Sequence, residues 1–254
     1  MAPAIKETKL LAKAVVMGVG AEDGLGAALS RCYAANDRHV LVAGRTLEKV
    51  EKVAAAIRRD GGRATAYAVD TTQEADVIRL FDAAMTRDQD GGPADLVTYN
   101  VGLNQKIDFL QMEASTFEAF WRMNTLGGFL VGREAARRFA PLGRGSIFFT
   151  GASGSLRGMP GFAHFGASKA GLRMIAQSMA REFGPQGIHV AHVIVDGAIE
   201  GHRVRSLFPG MFERLGENGA LSTKAIADTY WQLHLQHPSA WTHELDVRPF
   251  KEPF

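Results

Sequence analysis

The sequence predicts a doubly wound α/β fold, one parallel sheet flanked by helices on both faces, with residues 1–254 forming a single domain. Three observations carry that prediction. Short apolar runs alternate with longer segments of helical period nearly to the end of the chain. The runs are apolar at successive positions, not at every second one, as strands buried on both faces require. The segments between them are long enough for right-handed crossovers between parallel strands.

The first run, 14–17, enters a glycine-rich turn and then a helix over 25–35. Runs at 39–43, 64–69, 95–100, 146–150 and 189–195 follow, separated by helical segments at 46–59, 72–86, 115–139 and 162–183. Gly61 and Gly91 stand where helices should end before the next strand, and read as C-caps. The stretch 198–222 breaks the alternation with Gly201, Pro209, Gly210, Gly216 and Gly219. It reads as an excursion at the carboxyl edge of the sheet, a common place for a lid over a ligand. No internal repeat, low-complexity tract or linker divides the chain.

Composition narrows the function. Of 254 residues, 46% are hydrophobic and 22% charged, which excludes disorder and fibre. The net charge of +2, from 29 basic against 27 acidic residues, is spread without a basic block, so no nucleic-acid partner is expected and a small-molecule substrate is. The single cysteine, Cys32, cannot form an internal disulfide, and no Cys/His cluster has metal-ligand spacing, which fits a reducing compartment and no metal. The apolar run 10–20 is interrupted by Lys13 and lacks a cleavage pattern, and no run reaches the roughly 20 apolar residues of a membrane span. A soluble, cytoplasmic protein is expected.

A glycine-rich turn, weak as a signal by itself, is Gly18-Val19-Gly20-Ala21-Glu22-Asp23-Gly24-Leu25-Gly26, set between the first strand and its helix. Glycines let backbone approach a ligand, and the helix N-terminus presents unpaired N–H groups and partial positive charge to phosphate. The spacing Gly20-x3-Gly24-x-Gly26 resembles the glycine motif of the short-chain dehydrogenase/reductase family. Other landmarks of that family then fall in order. Asp70, followed by Thr71, stands where the family places an acid near adenine. Tyr99-Asn100-Val101-Gly102 resembles Asn-Asn-Ala-Gly, with Tyr99 in place of the first Asn. Asn124 matches the helical Asn that holds a water beside the catalytic Lys. Phe165-Gly166-Ala167-Ser168-Lys169-Ala170 resembles Tyr-x-Ala-Ser-Lys-Ala. Asp196-Gly197-Ala198-Ile199 stands where Pro-Gly-x-Ile contacts the nicotinamide. The resemblance implies a Rossmann-like fold, a dinucleotide held by Gly20, Gly24, Leu25, Gly26, Asn100, Gly102, Lys169, Gly197 and Ile199, and a homodimer or homotetramer.

One departure governs the mechanism. Phe165 occupies the position of the family's proton-transferring tyrosine, and a phenyl ring has no proton to give. The family's serine falls, thirteen residues earlier, on Ala152. Ser153 is one place away, and in an extended segment successive residues face opposite ways, so it is expected to point elsewhere. Asn124 and Lys169 persist, and Lys169 lies four residues after Phe165, on the same helix face. His164 has a suitable reference pKa of about 6.5 but points about 100° away and reads as a surface or packing residue. His189 and His192 read as buried strand histidines bonded to backbone, and Tyr99 as lying nearer the adenine half of the cofactor.

The second strand ends in Ala43-Gly44-Arg45-Thr46, with no acid for the ribose hydroxyls of NAD(H). Arg45 suits a 2′-phosphate through charge-assisted bonds, which favours NADP(H); Glu22 and Asp23 in the glycine turn oppose it. The excursion adds His202, Arg203, Arg205 and Arg214 beside Leu207, Phe208, Met211 and Phe212, residues that suit either a lid or a solvated amphipathic helix. Residues 240–249 resemble the family's last strand. Two functions follow: an oxidoreductase moving hydride between NADP(H) and a carbonyl, alcohol or activated double bond with non-standard proton delivery, or a catalytically silent dinucleotide-binding sensor or assembly subunit.

Overall fold

The structure, a computed structural model, describes residues 11–252, and of Arg203 the backbone only; Leu10, at the start of the run 10–20, lies outside the described residues. Seven strands form one parallel sheet: β1 (Ala12–Met17), β2 (His39–Gly44), β3 (Arg63–Ala68), β4 (Gly92–Tyr99), β5 (Gly145–Thr150), β6 (Ile188–Val195) and β7 (Glu244–Val247). Their order is β3-β2-β1-β4-β5-β6-β7. The chain leaves β1 toward β2 on one side and returns to β4 on the other, so the carboxyl ends of β1 and β4 flank the switch point where such sheets bind ligands.

Alternate residues of the five inner strands face opposite layers, and both sets are mainly apolar, while the edge strands β3 and β7 are only partly buried. Ala14, Val16, Val40, Val42, Ala191 and Val193 pack under α1 (Leu25–Ala35), α2 (Leu47–Arg59) and α9 (Thr223–His234). Val15, Met17, Leu41, Val97, Ile147 and Phe149 pack under α3 (Glu74–Met85), α5 (Gly127–Phe139) and α6 (Ala163–Phe183). This two-sided burial is why the strands read as continuous apolar runs.

Two elements differ from the sequence reading. The helix expected over 115–139 is α4 (Ala114–Trp121), a five-residue π turn (Arg122–Leu126) and α5. Tyr99, fully buried at the end of β4, donates its hydroxyl to the carbonyl of Met123 inside that turn. A π turn carries one more residue per hydrogen-bonded ring than an α-helix, and such turns gather at functional sites; this one contains Asn124. Gly61 does follow α2 with φ +85°, but Gly91 is no cap: α3 ends at Met85, and Gly91 (φ +148°) packs on the carbonyl of Leu11, 2.4 Å from where a Cβ would stand.

The excursion contains α7 (His202–Leu207) and α8 (Met211–Leu215) and is closed at its base, where Leu221 N donates to Ala198 O and Glu200 N to Leu221 O, each at 2.8 Å. No described helix is long and apolar enough to cross a membrane.

Candidate active site

The glycine turn folds as a close approach of backbone to backbone. Gly18 takes φ +84°, and a Cβ on it would lie 2.6 Å from the carbonyl of Asn100 at the end of β4; a Cβ on Gly26 would lie 3.0 Å from Gly18 O. Gly20 has open space on its side-chain face. The N-cap of α1 is Gly24, without a side-chain cap, so the first N–H groups of the helix have no side-chain acceptor. Leu25 sends its side chain into the core, so only its amide belongs to the turn. Asp23 Oδ2 accepts from His202 N, joining this turn to the excursion.

Arg45 follows β2, exposed, with no hydrogen-bond or ion-pair partner among the described residues. Thr46, the N-cap of α2, makes no side-chain cap either. Asp70 Oδ1 accepts from Thr72 N at 2.9 Å and Thr72 Oγ1 at 2.8 Å, an Asx turn that fixes the carboxylate. Thr71 turns inward, its hydroxyl buried 3.4 Å from that of Tyr99, so its side chain is not at the open edge. Tyr99 itself is withdrawn from the site.

At the centre, Lys169 is buried on α6, its Nζ donating to Thr150 O at 2.9 Å and Val101 O at 3.2 Å. Burial pushes its amine down from 10.5 to about 7. Asn124 Nδ2 donates to Phe120 O and Ser168 Oγ, both at 3.1 Å, which fixes the amide and leaves Oδ1 buried without a partner. Gly102 brings the two together: a Cβ on it would stand 3.1 Å from Nζ and 3.4 Å from Asn124 Oδ1. The glycine leaves a small polar cradle between an amine and an unmatched carbonyl.

Phe165 is nearly buried, and a Cβ on Gly154 would lie 3.0 Å from its ring. The alternation argument for Ser153 does not hold, because Ser153–Ser155 is a 3-10 turn and not an extended segment. Ser155 Oγ is taken by Ala152 N at 3.2 Å, whereas the half-buried Ser153 hydroxyl makes no hydrogen bond. His164 is buried, edge-on to Phe120 with ring centroids 4.2 Å apart, a packing residue as read but not a surface one. His189 Nε2 meets Thr242 O at 2.9 Å, as expected; His192 pairs with the carboxylate of Glu244 instead of backbone. Gly197 takes φ +145° beneath Pro249, Ile199 packs against the core, and Asp196 is clamped by Arg157 at 3.2 Å and Arg248 at 3.4 Å. The sequence reading quotes Gly18 in the turn without giving it a role, and does not name Arg157, which carried no signal.

The short chain dehydrogenase family model matches residues 14–208. The chain belongs to the short-chain dehydrogenase family. It is 33% identical over 195 residues to the uncharacterized oxidoreductase YuxG of Bacillus subtilis (strain 168), covering 75% of this chain but only 28% of that protein. It is 26% identical over 180 residues to gluconate 5-dehydrogenase of Gluconobacter oxydans (strain 621H), covering 71% of this chain and 69% of that one. Among solved structures, a short-chain dehydrogenase from Rhodopseudomonas palustris shares 38% identity with a TM-score of 0.76, covering 93% of this chain and 99% of that chain. A metagenomic short-chain oxidoreductase in complex with NADP shares the fold at TM-score 0.76 and 22% identity, covering 94% of this chain and 98% of that one. In this member of the family the turn at Gly18–Gly26, Asn124 and Lys169 converge on the carboxyl ends of β1 and β4, with Phe165 one helical turn before the lysine.

Proposed function

We propose that the protein is an NADP(H)-dependent oxidoreductase acting on a carbonyl, alcohol or activated double bond, with Lys169 as its proton carrier in place of the missing tyrosine. The observation that carries this reading is the buried Lys169 amine, poised near neutrality beside the unmatched Asn124 Oδ1 across Gly102. The residues present fit a dinucleotide: the open face of Gly20, the uncapped start of α1 and the unpartnered Arg45 suit phosphates, and Asp70 the adenine. Bound NADPH supplies the hydride.

The chain's own residues do the rest. Lys169 Nζ, half protonated near pH 7, delivers a proton toward the substrate oxygen through a water held at Asn124 Oδ1, or takes one back in the oxidative direction. Phe165 contributes an apolar wall that keeps bulk water from this amine, and Ser153 offers the substrate a free hydroxyl. The excursion, joined to the glycine turn through Asp23, acts as the lid. The exposed Phe117, Trp121, Phe129 and Met174 on α4, α5 and α6 suit a homodimer or homotetramer, and the protein works in the cytoplasm.

A second reading has one observation in its favour, the joint loss of hydroxyls at Ala152 and Phe165: a silent dinucleotide-binding subunit. The test is calorimetry with NADPH, then turnover of ketones, aldehydes and enones by the natural protein and by Phe165→Tyr. Heat with turnover by the natural protein supports the oxidoreductase. Tight binding with turnover by Phe165→Tyr alone, or by neither form, leaves the silent subunit standing.

A further inference from the structure

Behind Lys169 lies a set of titratable and charged side chains, one buried and two partly buried, that the function above does not use. His192 on β6 is fully buried. Its Nδ1 lies 2.9 Å from Glu244 Oε2 on β7, its register partner across the sheet. Glu244 is held in turn by both arms of Arg173, Nε and Nη2 each at 2.7 Å. Arg173 stands one helical turn beyond Lys169 on α6, so the set closes back on the element that carries the amine.

The other face of His192 meets the site. Its Nε2 is buried without a hydrogen-bond partner and pressed on Gly151, where a Cβ would lie 2.3 Å from it. Gly151 directly follows Thr150, whose carbonyl receives the shorter of the two hydrogen bonds from Lys169. The ring therefore fills the space beneath the one peptide that both holds the amine and leads to Ala152. Leaving a buried ring nitrogen unmatched costs free energy that an apolar side chain would avoid. A carboxylate and a bidentate arginine are also committed to fixing this ring's orientation, as partners behind a functional histidine commonly are.

We infer that His192 is a positioning residue for Lys169: oriented by Glu244 and Arg173, its ring props Gly151 and so keeps the Thr150 carbonyl on the amine. The inference rests on the reading of Lys169 as proton carrier, but its test needs neither cofactor nor substrate. Burial holds the imidazole down to about 4, so at neutral pH it is uncharged and donates Nδ1–H to Glu244. The titratable and charged groups set around Lys169 are this neutral ring from β6, Glu244 from β7 and Arg173 from its own helix; Asn124 and the carbonyls of Val101 and Thr150 are uncharged.

The experiment follows the Lys169 titration in the cofactor-free protein, by NMR of lysine labelled at Nζ, with the signal assigned from its loss in Lys169→Met. His192→Asn retains a donor near the Nδ1 position and changes no charge at neutral pH, but removes the ring from under Gly151. The Lys169 midpoint is expected to rise by roughly one unit or more, because burial is what holds it down and relief of that burial outweighs the loss of the Thr150 carbonyl as acceptor. Glu244→Ala gives an opposed-sign control at a half-buried edge position. Removing a nearby anion would by itself lower the midpoint, whereas releasing the ring raises it. A rise in Glu244→Ala supports the inference even where His192→Asn does not fold. An unchanged midpoint in His192→Asn, a fall in Glu244→Ala, or a natural Lys169 titrating at its ordinary value overturns it. None of these outcomes bears on whether NADPH binds, which calorimetry on the natural protein decides separately.

Discussion

Replacing Lys169 with methionine removes a charge from the interior, and the size of the effect follows from the burial of the amine. Burial takes its pKa from 10.5 to about 7. Between those values the unfolded chain holds a proton that the folded chain has lost, so folding is penalised fully below pH 7 and not at all above 10.5. At about 1.36 kcal/mol per pH unit, and with the folded amine half protonated, the penalty at pH 7 is about 4 kcal/mol. The hydrogen bonds to Thr150 O and Val101 O return about 1 kcal/mol each, leaving a net cost of roughly 2 kcal/mol. Methionine fills similar space without charge, so Lys169→Met is expected to be more stable by about 2 kcal/mol at pH 7, a rise in Tm of roughly 4–8 °C for a chain of this size. The advantage must shrink with rising pH, vanish near about pH 9, and by pH 10 give way to a deficit of about 1 kcal/mol, because the two hydrogen bonds then outweigh the remaining penalty. Urea denaturation of both forms at pH 6, 8 and 10 measures it. A variant less stable at pH 7, or a difference that does not change with pH, would refute both the burial argument and the neutral amine on which the proton-carrier role depends.

Other consequences are separately measurable. Because Lys169 must hold its proton to reduce a carbonyl, reduction should slow as pH rises through about 7 and alcohol oxidation should quicken, as steady-state rates in the two directions would show. Arg45→Ala should weaken NADPH roughly 10- to 100-fold, the worth of a hydrogen bond to a charged group, and leave NADH unchanged in calorimetry. Gly102→Ala drives a methyl into the cradle between Nζ and Asn124 Oδ1, so it should cost about 1–3 kcal/mol and abolish turnover while the circular dichroism spectrum stays native. Tyr99→Phe leaves the Met123 carbonyl without its donor and should cost about 1–3 kcal/mol in denaturation.

The layered sheet was readable because its five inner strands are mainly apolar on both faces, and Gly20, Gly24 and Gly26 were readable because their spacing sits between a strand and a helix. Lys169 and Asn124 could be named because their surroundings resemble the family's motifs; helix period relates Lys169 to Phe165 but not Asn124, which lies in the π turn. The boundaries that failed had physical causes. The break at Arg122–Leu126 depends on Tyr99 reaching across from β4, a contact between residues 24 apart that no local pattern announces. Ser153 was misjudged because a 3-10 turn replaced the extended segment assumed there. Thr71 and Leu25 lie at the right places in the chain, but the core claims their side chains. The group Arg173, Glu244 and His192 had no signal at all: sheet register sets Glu244 beside His192, and the packing of α6 on the sheet brings Arg173 to Glu244, 71 residues away.

The extra residue accommodated at Arg122–Leu126 makes this segment asymmetric toward length changes. Losing one residue there would let Ala114–Phe139 run on as a regular helix with better backbone geometry, so the deletion should be mild as a folding event. Because a π turn fits its extra residue into one widened turn, the helix on either side would keep its facing and Gly127, Gly128 and Gly132 would stay packed, while the widened turn that carries Asn124 would be lost. The irregular turn is thus separable from the fold and inseparable from the position of the amide.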